Sequence, residues 1–240
     1  MKKQKYWVEF LERKTKYILI IIIILALTIA IHQDIFQNEK YPYKQIGNNS
    51  LGTVDRIVCG NADANNTIAL IVGIHPREVL AVEPEITAAK EYVKDHPDVK
   101  IIIYQVNVTK SPQVYQTGRD NGESLVHDFV NPDVTKSDAQ CVIISHSHME
   151  GYGEGYYLAT PDMDNASVTI AEKISNNSDF GYYPKTGDEE YKSTSAVLVS
   201  NPIAKAGYPT FVYEIPENIT QADSTKYAKD LFDLMVKYAC

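Results

Sequence analysis

The stretch Ile71-Val-Gly-Ile-His75-Pro-Arg77-Glu78 decides how the rest of the chain is interpreted. It ends a continuous apolar run that begins at Thr67, and such a run is typical of a strand buried on both faces. The turn after the strand carries His75 and, three residues later, Glu78. An imidazole nitrogen and a carboxylate oxygen are two of the three protein ligands that a catalytic zinc site requires, with the fourth position kept for water. We therefore expect a third ligand and a general base elsewhere in the sequence.

Length and composition are those of one globular domain with an appendage. The chain has 240 residues, 44% of them hydrophobic and 22% charged, and a net charge of −8. This acidic balance argues against nucleic acid as a partner, because a nucleic-acid surface is basic. Three cysteines, Cys59, Cys141 and Cys240, are too few for a disulfide framework. Cys59 and Cys141 lie in apolar runs and are expected to be buried thiols, although a bridge between them stays open.

The N-terminus has the pattern of a membrane anchor. Residues 17–31 are apolar apart from one threonine, and six basic and two acidic residues precede them. We predict a cytoplasmic segment, a transmembrane signal anchor and a linker, over residues 1–16, 17–33 and 34–50. The long basic segment and the absence of an Ala-x-Ala site favour an anchor over a cleaved signal peptide. The positive-inside rule then places the domain 51–240 outside the cell membrane.

Hydrophobic periodicity predicts an α/β domain. The strand 67–74 is followed by a helix-like segment over 78–94 and a second apolar strand over 99–108. This β-α-β pattern is typical of a parallel strand pair with a right-handed crossover. Residues 109–139 are polar and interrupted by Pro and Gly, and we predict a long functional loop there. The other predicted elements are strands over 53–59, 140–145 and 208–215 and helices over 162–176, 195–206 and 220–238.

Two later segments supply the missing groups. His146 follows the third buried strand, and Glu214 lies near the end of the fourth. In an open α/β sheet, ligands collect at the carboxyl ends of the strands, so these side chains are expected to converge on the first motif. His75, Glu78 and His146 would then hold one Zn²⁺, which activates a water. Glu214 would act as the general base, and a nearby arginine would stabilise the oxyanion.

These residues resemble the motifs of the zinc carboxypeptidase family, the funnel-type metallopeptidases. The resemblance rests on Gly73-Ile-His75-Pro-Arg77-Glu78 for two ligands, Ile144-Ser-His146-Ser147 for the third, and Gly207-Tyr-Pro-Thr-Phe-Val-Tyr-Glu214 for the strand that delivers the base. It extends over residues 51–240 in the family's order. It implies a mixed, mostly parallel sheet of about eight strands with helices on both faces. It also implies one zinc ion and hydrolysis of an amide near a free carboxylate.

The resemblance implies substrate-binding residues in the predicted loop. Arg119 and Asn121 lie where the family has the pair that binds the terminal carboxylate of the substrate. Arg119 is also the candidate residue for stabilising the oxyanion. Arg77 lies between the first two ligands and is a further candidate. Glu123 is expected to be solvated, as loop carboxylates commonly are.

Two further positions complete the predicted site. Tyr191 matches the family's flexible tyrosine by its distance from the catalytic glutamate alone, and Tyr182 and Tyr183 are equal rivals. His148 lies two residues after His146, and we expect it to point away from His146 and to support the site or contact the substrate. Whether His148 rather than His146 is the third zinc ligand stays open.

The sequence thus predicts a membrane-anchored, extracytoplasmic zinc metallopeptidase with a peptide substrate, and cell-wall peptides are among the candidates given the outward topology. The short interval between Glu78 and His146 is also similar to the succinylglutamate desuccinylase and aspartoacylase group, so a deacylase of N-acyl amino acids is an alternative. A wall-binding module without activity is a second alternative, and the complete set of ligands and base counts against it.

Overall fold

The computed structural model describes residues 14–26, 28, 41–183 and 194–240 and divides the chain into two units, Met1–Pro42 and Tyr43–Cys240. In the first unit, residues 14–26 are helical. Among the described residues, no helix has the length and apolarity needed to cross a membrane. The predicted anchor 17–33 includes residue 27 and residues 29–33, which lie outside the described part, so the anchor stays a prediction.

The second unit is built on one mixed sheet of eight strands. From edge to edge their order is β1-β2-β4-β3-β5-β8-β6-β7. The pairs β3–β4, β3–β5, β5–β8 and β6–β7 are parallel, and the other three pairs are antiparallel. The strands are β1 (Tyr43–Asn49), β2 (Gly52–Gly60), β3 (Asn66–Val72), β4 (Val99–Val108), β5 (Cys141–His148), β6 (Tyr157–Ala159), β7 (Gly181–Tyr182) and β8 (Thr210–Pro216). The predicted eight-stranded α/β architecture is confirmed.

Six α-helices and three shorter helical turns accompany the sheet in the described part of this unit. The helices are α1 (Glu83–Asp95), α2 (Tyr115–Leu125), α3 (Asn131–Val134), α4 (Asn165–Asn176), α5 (Asn201–Lys205) and α6 (Gln221–Tyr238). A 3₁₀ turn, Val79–Ala81, precedes α1, and π-helical turns, Val126–Val130 and Ala196–Ser200, precede α3 and α5. The long amphipathic helices α1 and α6 pack against each other, which buries the apolar face of each.

Two predictions about the elements are wrong. The predicted linker 34–50 contains β1, which pairs antiparallel with β2 at the sheet edge. Only Ile46 and Gly47 of this strand turn away from solvent, so its hydrophobic signal is too short to detect. The predicted loop 109–139 contains α2 and α3. Its glycines suggested turns, whereas Gly122 serves helix packing: a Cβ there would lie 1.7 Å from the carbonyl oxygen of Ile74.

The segment that carries His75 and Glu78 turns out of the sheet at a glycine. Gly73 has a φ of +80°, and a Cβ at this position would lie 2.3 Å from the carbonyl oxygen of Val106 on β4. Only glycine allows the chain to turn so close to a neighbouring strand. The turn brings His75 and Glu78 to the carboxyl end of β3, beside the end of β5, and this positions the candidate site.

Candidate active site

Three predicted ligands meet at the carboxyl ends of β3 and β5. His75, Glu78 and His146 are all buried, and their donor atoms lie within 4.8 Å of one another. His75 Nδ1 donates to Glu78 Oε1 at 2.8 Å, and His146 Nδ1 donates to Glu78 Oε2 at 2.9 Å. The two imidazole rings are 4.4 Å apart between centroids. The glutamate thus lies between two histidines that both turn Nδ1 toward it.

The charges around the triad favour a cation. Burial alone would raise the pKa of Glu78, but the hydrogen bonds and charges of His146 and His75 outweigh it and hold that pKa far below its usual range. Burial would lower the pKa of His75, but its hydrogen bonds to Glu123 and Glu78 outweigh burial and raise it. A divalent cation would replace the protons on the two Nδ1 atoms, since metal ligands must be deprotonated.

The donor set fits one zinc ion. Two imidazole nitrogens and a carboxylate oxygen form one of the ligand sets of catalytic zinc, which needs each at roughly 2.0–2.2 Å. His75 Nε2 donates to Glu123 Oε1 at 3.3 Å. A carboxylate in that position fixes the ring tautomer and leaves Nδ1 for the metal. The predicted site for a single zinc ion is therefore confirmed.

Glu123 is the residue of this centre that sequence reasoning missed. Its side chain is 2% exposed, not solvated as expected. It lies on α2, four residues after Arg119, and residues four apart share one face of a helix. The helical spacing of these two residues was the available signal, and the loop prediction for 109–139 concealed it.

Glu214 lies beside the triad on the adjacent strand. β5 and β8 are parallel, and His146 pairs with Glu214 in their register. Burial and the negative charge of Glu78 raise the pKa of Glu214 to about 7, although His146 and Arg119 pull it down. A carboxylate that gains and loses a proton near neutral pH is suited to general acid–base chemistry.

Two arginines line the same cleft. Arg119 Nη1 donates to Glu78 Oε1 at 2.9 Å. The guanidinium carbons of Arg119 and Arg77 lie 5.4 and 5.6 Å from the ring centroid of Tyr115. This aromatic contact holds both cations near the metal ligands, where an anionic group of a ligand would meet them.

His148 lies on the same face of β5 as His146, and the expectation that it points away is wrong. Residues two apart on a strand share a face, and both line the cleft. The ring of His148 is held by the backbone, because its Nε2 donates to the carbonyl oxygen of Gly155 at 2.9 Å. His146 Nδ1 donates to Glu78, whereas both ring nitrogens of His148 contact backbone carbonyl oxygens, so the ligand group consists of His75, Glu78 and His146.

The remaining predicted substrate contacts are placed differently. Asn121 is buried and its amide donates to the carbonyl oxygen of Lys110 at 2.8 Å, away from the cleft lining. Tyr191 lies outside the described residues. Of its rivals, Tyr183 lines the cleft, whereas Tyr182 is buried with its hydroxyl 2.6 Å from that of Thr160.

The cleft is large enough for a small peptide. It has a volume of about 620 Å³, within the range of ligand pockets. The cleft is lined by the three metal ligands and by the candidate base Glu214, together with the two arginines and Glu217. Its rim includes exposed aromatic and apolar side chains that the sequence did not single out, namely Tyr115, Met149 and Tyr152.

Comparison with known protein families and with curated proteins found no match to the sequence. Solved structures do match. A carboxypeptidase-like protein from Burkholderia mallei has a TM-score of 0.57 at 14% identity, over 83% of this chain and 63% of that chain. A metallo-carboxypeptidase from Burkholderia cenocepacia has a TM-score of 0.53 at 12% identity, over 82% of this chain and 64% of that chain. The fold is that of the metallocarboxypeptidases.

A third structure with the metallocarboxypeptidase fold is the metallo-carboxypeptidase of Pseudomonas aeruginosa in complex with (2-guanidinoethylmercapto)succinic acid. Its TM-score is 0.51 at 12% identity, over 81% of this chain and 64% of that chain. This chain spans slightly less than two thirds of the length of the three structures. The resemblance stated from the sequence is confirmed by the fold together with the His-Glu-His triad.

Proposed function

We propose that the chain is a zinc-dependent peptidase that hydrolyses an amide bond near a free carboxylate of its substrate. The observation that carries this proposal is the convergence of three metal donors within 4.8 Å at the floor of a cleft. A half-buried glutamate on the adjacent strand completes the set, with its pKa raised to about 7. A binding module would have no need of a base held at this position.

Each side chain of the site has a distinct task in this reaction. A zinc ion bound by the triad supplies Lewis acidity and activates water at neutral pH. Glu214 accepts the proton of the attacking water and returns it to the leaving nitrogen. Glu123 holds the Nε2 proton of His75 and so keeps Nδ1 directed at the metal. Tyr115 restrains the side chain of Arg119, whose charge lies close to the reacting carbonyl.

The two arginines support a preference for substrates with a free carboxylate. Among the described residues that line the cleft, Arg77 and Arg119 are the arginines, and no lysine is present. A guanidinium binds a carboxylate with two parallel hydrogen bonds. The ligand bound by the Pseudomonas aeruginosa enzyme is a succinic acid derivative, which is consistent with carboxylate recognition on this fold.

We also propose that the enzyme is a single-pass membrane protein with its catalytic unit outside the cell. The support is the apolar run 17–31 behind a basic segment and the positive-inside rule. Cell-wall peptides are then within its reach. Extraction of membranes at alkaline pH and protease treatment of intact cells test this topology. Release of the chain at alkaline pH, or protection of the catalytic unit in intact cells, would contradict it.

The activity is tested with three substrate classes and one variant. The purified, zinc-loaded chain is assayed on peptides with a free C-terminus, on the same peptides with an amidated C-terminus, and on N-acyl amino acids. We expect cleavage of the first class, and loss of that cleavage in Glu214→Gln. Cleavage of N-acyl amino acids alone would identify a deacylase instead. Absence of hydrolysis in all three classes by a zinc-loaded chain would refute the proposal.

A further inference from the structure

The cysteines carry an inference that is independent of the proposed activity. All three are thiols, and two of them, Cys59 and Cys141, are fully buried in the sheet. The third, Cys240, lies two residues after the end of α6 and is partly exposed. The question is which pair, if any, can form a bond.

Cys59 and Cys141 are too far apart to be bridged. In the register of the sheet, Cys59 pairs with Ile101, Ile101 with Ile68, and Ile68 with Cys141. Three interstrand spacings of about 4.8 Å separate the two cysteines, which is roughly 14 Å. A disulfide requires Cα atoms within about 7 Å. The bridge that the sequence left open is therefore excluded.

Cys240 is instead held next to Cys141. Its Sγ lies 4.0 Å from the carbonyl oxygen of Thr67, and the following residue, Ile68, is the neighbour of Cys141 in the sheet. Gln140 contacts both the start of β3 and the end of the chain segment that follows α6. Its Oε1 accepts from Thr67 N at 2.8 Å, and its Nε2 donates to Cys240 O at 3.4 Å.

The last turn of α6 fixes the position of Cys240. Its backbone N–H donates to the carbonyl oxygen of Met235 at 3.1 Å, and Met235 is fully buried. The same carbonyl oxygen of Thr67 accepts from the backbone N–H of Gln140, the residue before Cys141, at 2.8 Å. The sulfur of Cys240 thus lies beside Cys141 at the amino end of β5, the strand that carries His146 near its other end.

We propose that Cys141 and Cys240 form a disulfide that joins the C-terminal helix α6 to the metal-bearing strand β5. The two thiols have complementary properties for this reaction. Cys240 is accessible, and its hydrogen bond from Cys141 lowers its pKa, so it is the thiol that an external oxidant meets. Cys141 is fully buried, so an oxidant in solution does not meet it directly.

The oxidant is a small disulfide such as oxidised glutathione. The Cys240 thiolate attacks one of its sulfurs, the glutathione S–S bond breaks, and one glutathione leaves as a thiolate. The sulfur of Cys141 then attacks Cys240, expels the second glutathione, and gives its proton to a glutathione thiolate. Two protein thiols and one oxidised glutathione become one protein disulfide and two reduced glutathiones.

The test is oxidation of the full chain, purified in detergent, with oxidised glutathione at pH 8. The remaining thiols are alkylated after unfolding, and the protein and its proteolytic peptides are weighed. We expect a loss of two hydrogens, a single alkylated cysteine at position 59, and a linked pair of peptides that contain Cys141 and Cys240. Three alkylated thiols, a stable glutathione adduct on Cys240, or a link that involves Cys59 would overturn the proposal.

Matched variants separate the link from a general effect of losing a thiol. Cys59→Ser should keep the link, and Cys240→Ser should abolish it while the circular dichroism spectrum remains that of wild type. The link closes a loop of about 100 residues, so the Tm of the oxidised protein should exceed that of the reduced protein by about 10–20 °C in wild type and Cys59→Ser. An equal Tm shift on oxidation of Cys240→Ser would contradict the proposal. Zinc binding and hydrolysis play no part in these readouts.

Discussion

Glu85 lies on α1 behind the metal-bearing strand, and its replacement by glutamine is expected to change how stability depends on pH. Its side chain is 0% exposed, and neither carboxyl oxygen has a close hydrogen-bond partner within the part of the chain that the structure describes. Burial raises the pKa of Glu85 from 4.5 to about 8, although the nearby Ser145 hydroxyl opposes this weakly. The carboxyl is therefore neutral in the folded protein at pH 7.

The size of the effect follows from the difference in proton binding. Because the folded state binds the proton more tightly than the unfolded state, this contribution to stability is complete below pH 4.5 and is lost as the pH rises toward 8. The full shift corresponds to roughly 5 kcal/mol, and about 3.5 kcal/mol of it falls between pH 5 and 8. Glutamine keeps the shape and does not ionise, so Glu85→Gln should lose none of this stability.

Urea unfolding in the presence of a chelator measures the effect at pH values from 5 to 8. The free energy of unfolding of Glu85→Gln minus that of wild type should rise by about 3.5 kcal/mol over this range. Glu83→Gln removes an exposed carboxyl from the same helix and reports the contribution of overall charge alone. If the difference between Glu85→Gln and wild type changed by less than about 1 kcal/mol, the reasoning about the buried carboxyl would be refuted.

Three further predictions concern the site and its supports. Glu214→Gln should lower kcat by about 10²–10⁴-fold without changing zinc content, and the wild-type rate should rise with pH toward about 7 because the base must lose its proton; a flat profile from pH 5 to 8 would count against this role. Glu123→Gln should weaken zinc binding about 10–100-fold in a competitive chelator titration, and unchanged affinity would show that its contact with the first ligand is incidental. Gly122→Ala should lower the free energy of unfolding by about 3 kcal/mol or more, because its Cβ would lie 1.7 Å from Ile74 O. Gly118→Ala, where the nearest atom is 2.9 Å away, should cost less in the same urea titration, and equal costs would contradict the packing argument.

The ligands and the base could be predicted because each ends or nearly ends a buried strand. A continuous apolar run identifies such a strand without any knowledge of its neighbours. Parallel strands bring their carboxyl ends to one edge, so groups far apart in sequence converge. The structure shows this convergence, because His146 pairs with Glu214 in the register of the parallel strands β5 and β8.

The helix α2 could not be predicted, because a glycine in a sequence can indicate either a turn or a place where a helix packs closely against another segment. Gly118 and Gly122 suggest turns when only local preference is considered. In the fold they allow α2 to approach the chain at Ile74 and Pro112, a reason that depends on tertiary packing. Once α2 is known to be a helix, Arg119 and Glu123 fall on the face that meets the metal centre, while Asn121 turns away from the cleft to contact Lys110.

The cysteines show the same dependence on long-range register. Apolar surroundings predicted correctly that Cys59 and Cys141 are buried. Burial raises the pKa of Cys59 to about 12, so it is an unreactive thiol. The partner of Cys141 depends on strand order and on where α6 ends, and neither can be obtained from the spacing of residues in the sequence.

Zinc stoichiometry in matched histidine variants tests the central claim most directly. The metal content of dialysed protein is measured for wild type, His146→Ala and His148→Ala. Both histidines line the cleft on the same strand, but only His146 contacts Glu78. We predict one zinc per chain in wild type and in His148→Ala, and none in His146→Ala. A wild-type chain without zinc, or equal zinc in His146→Ala, would contradict the metal centre on which the account depends.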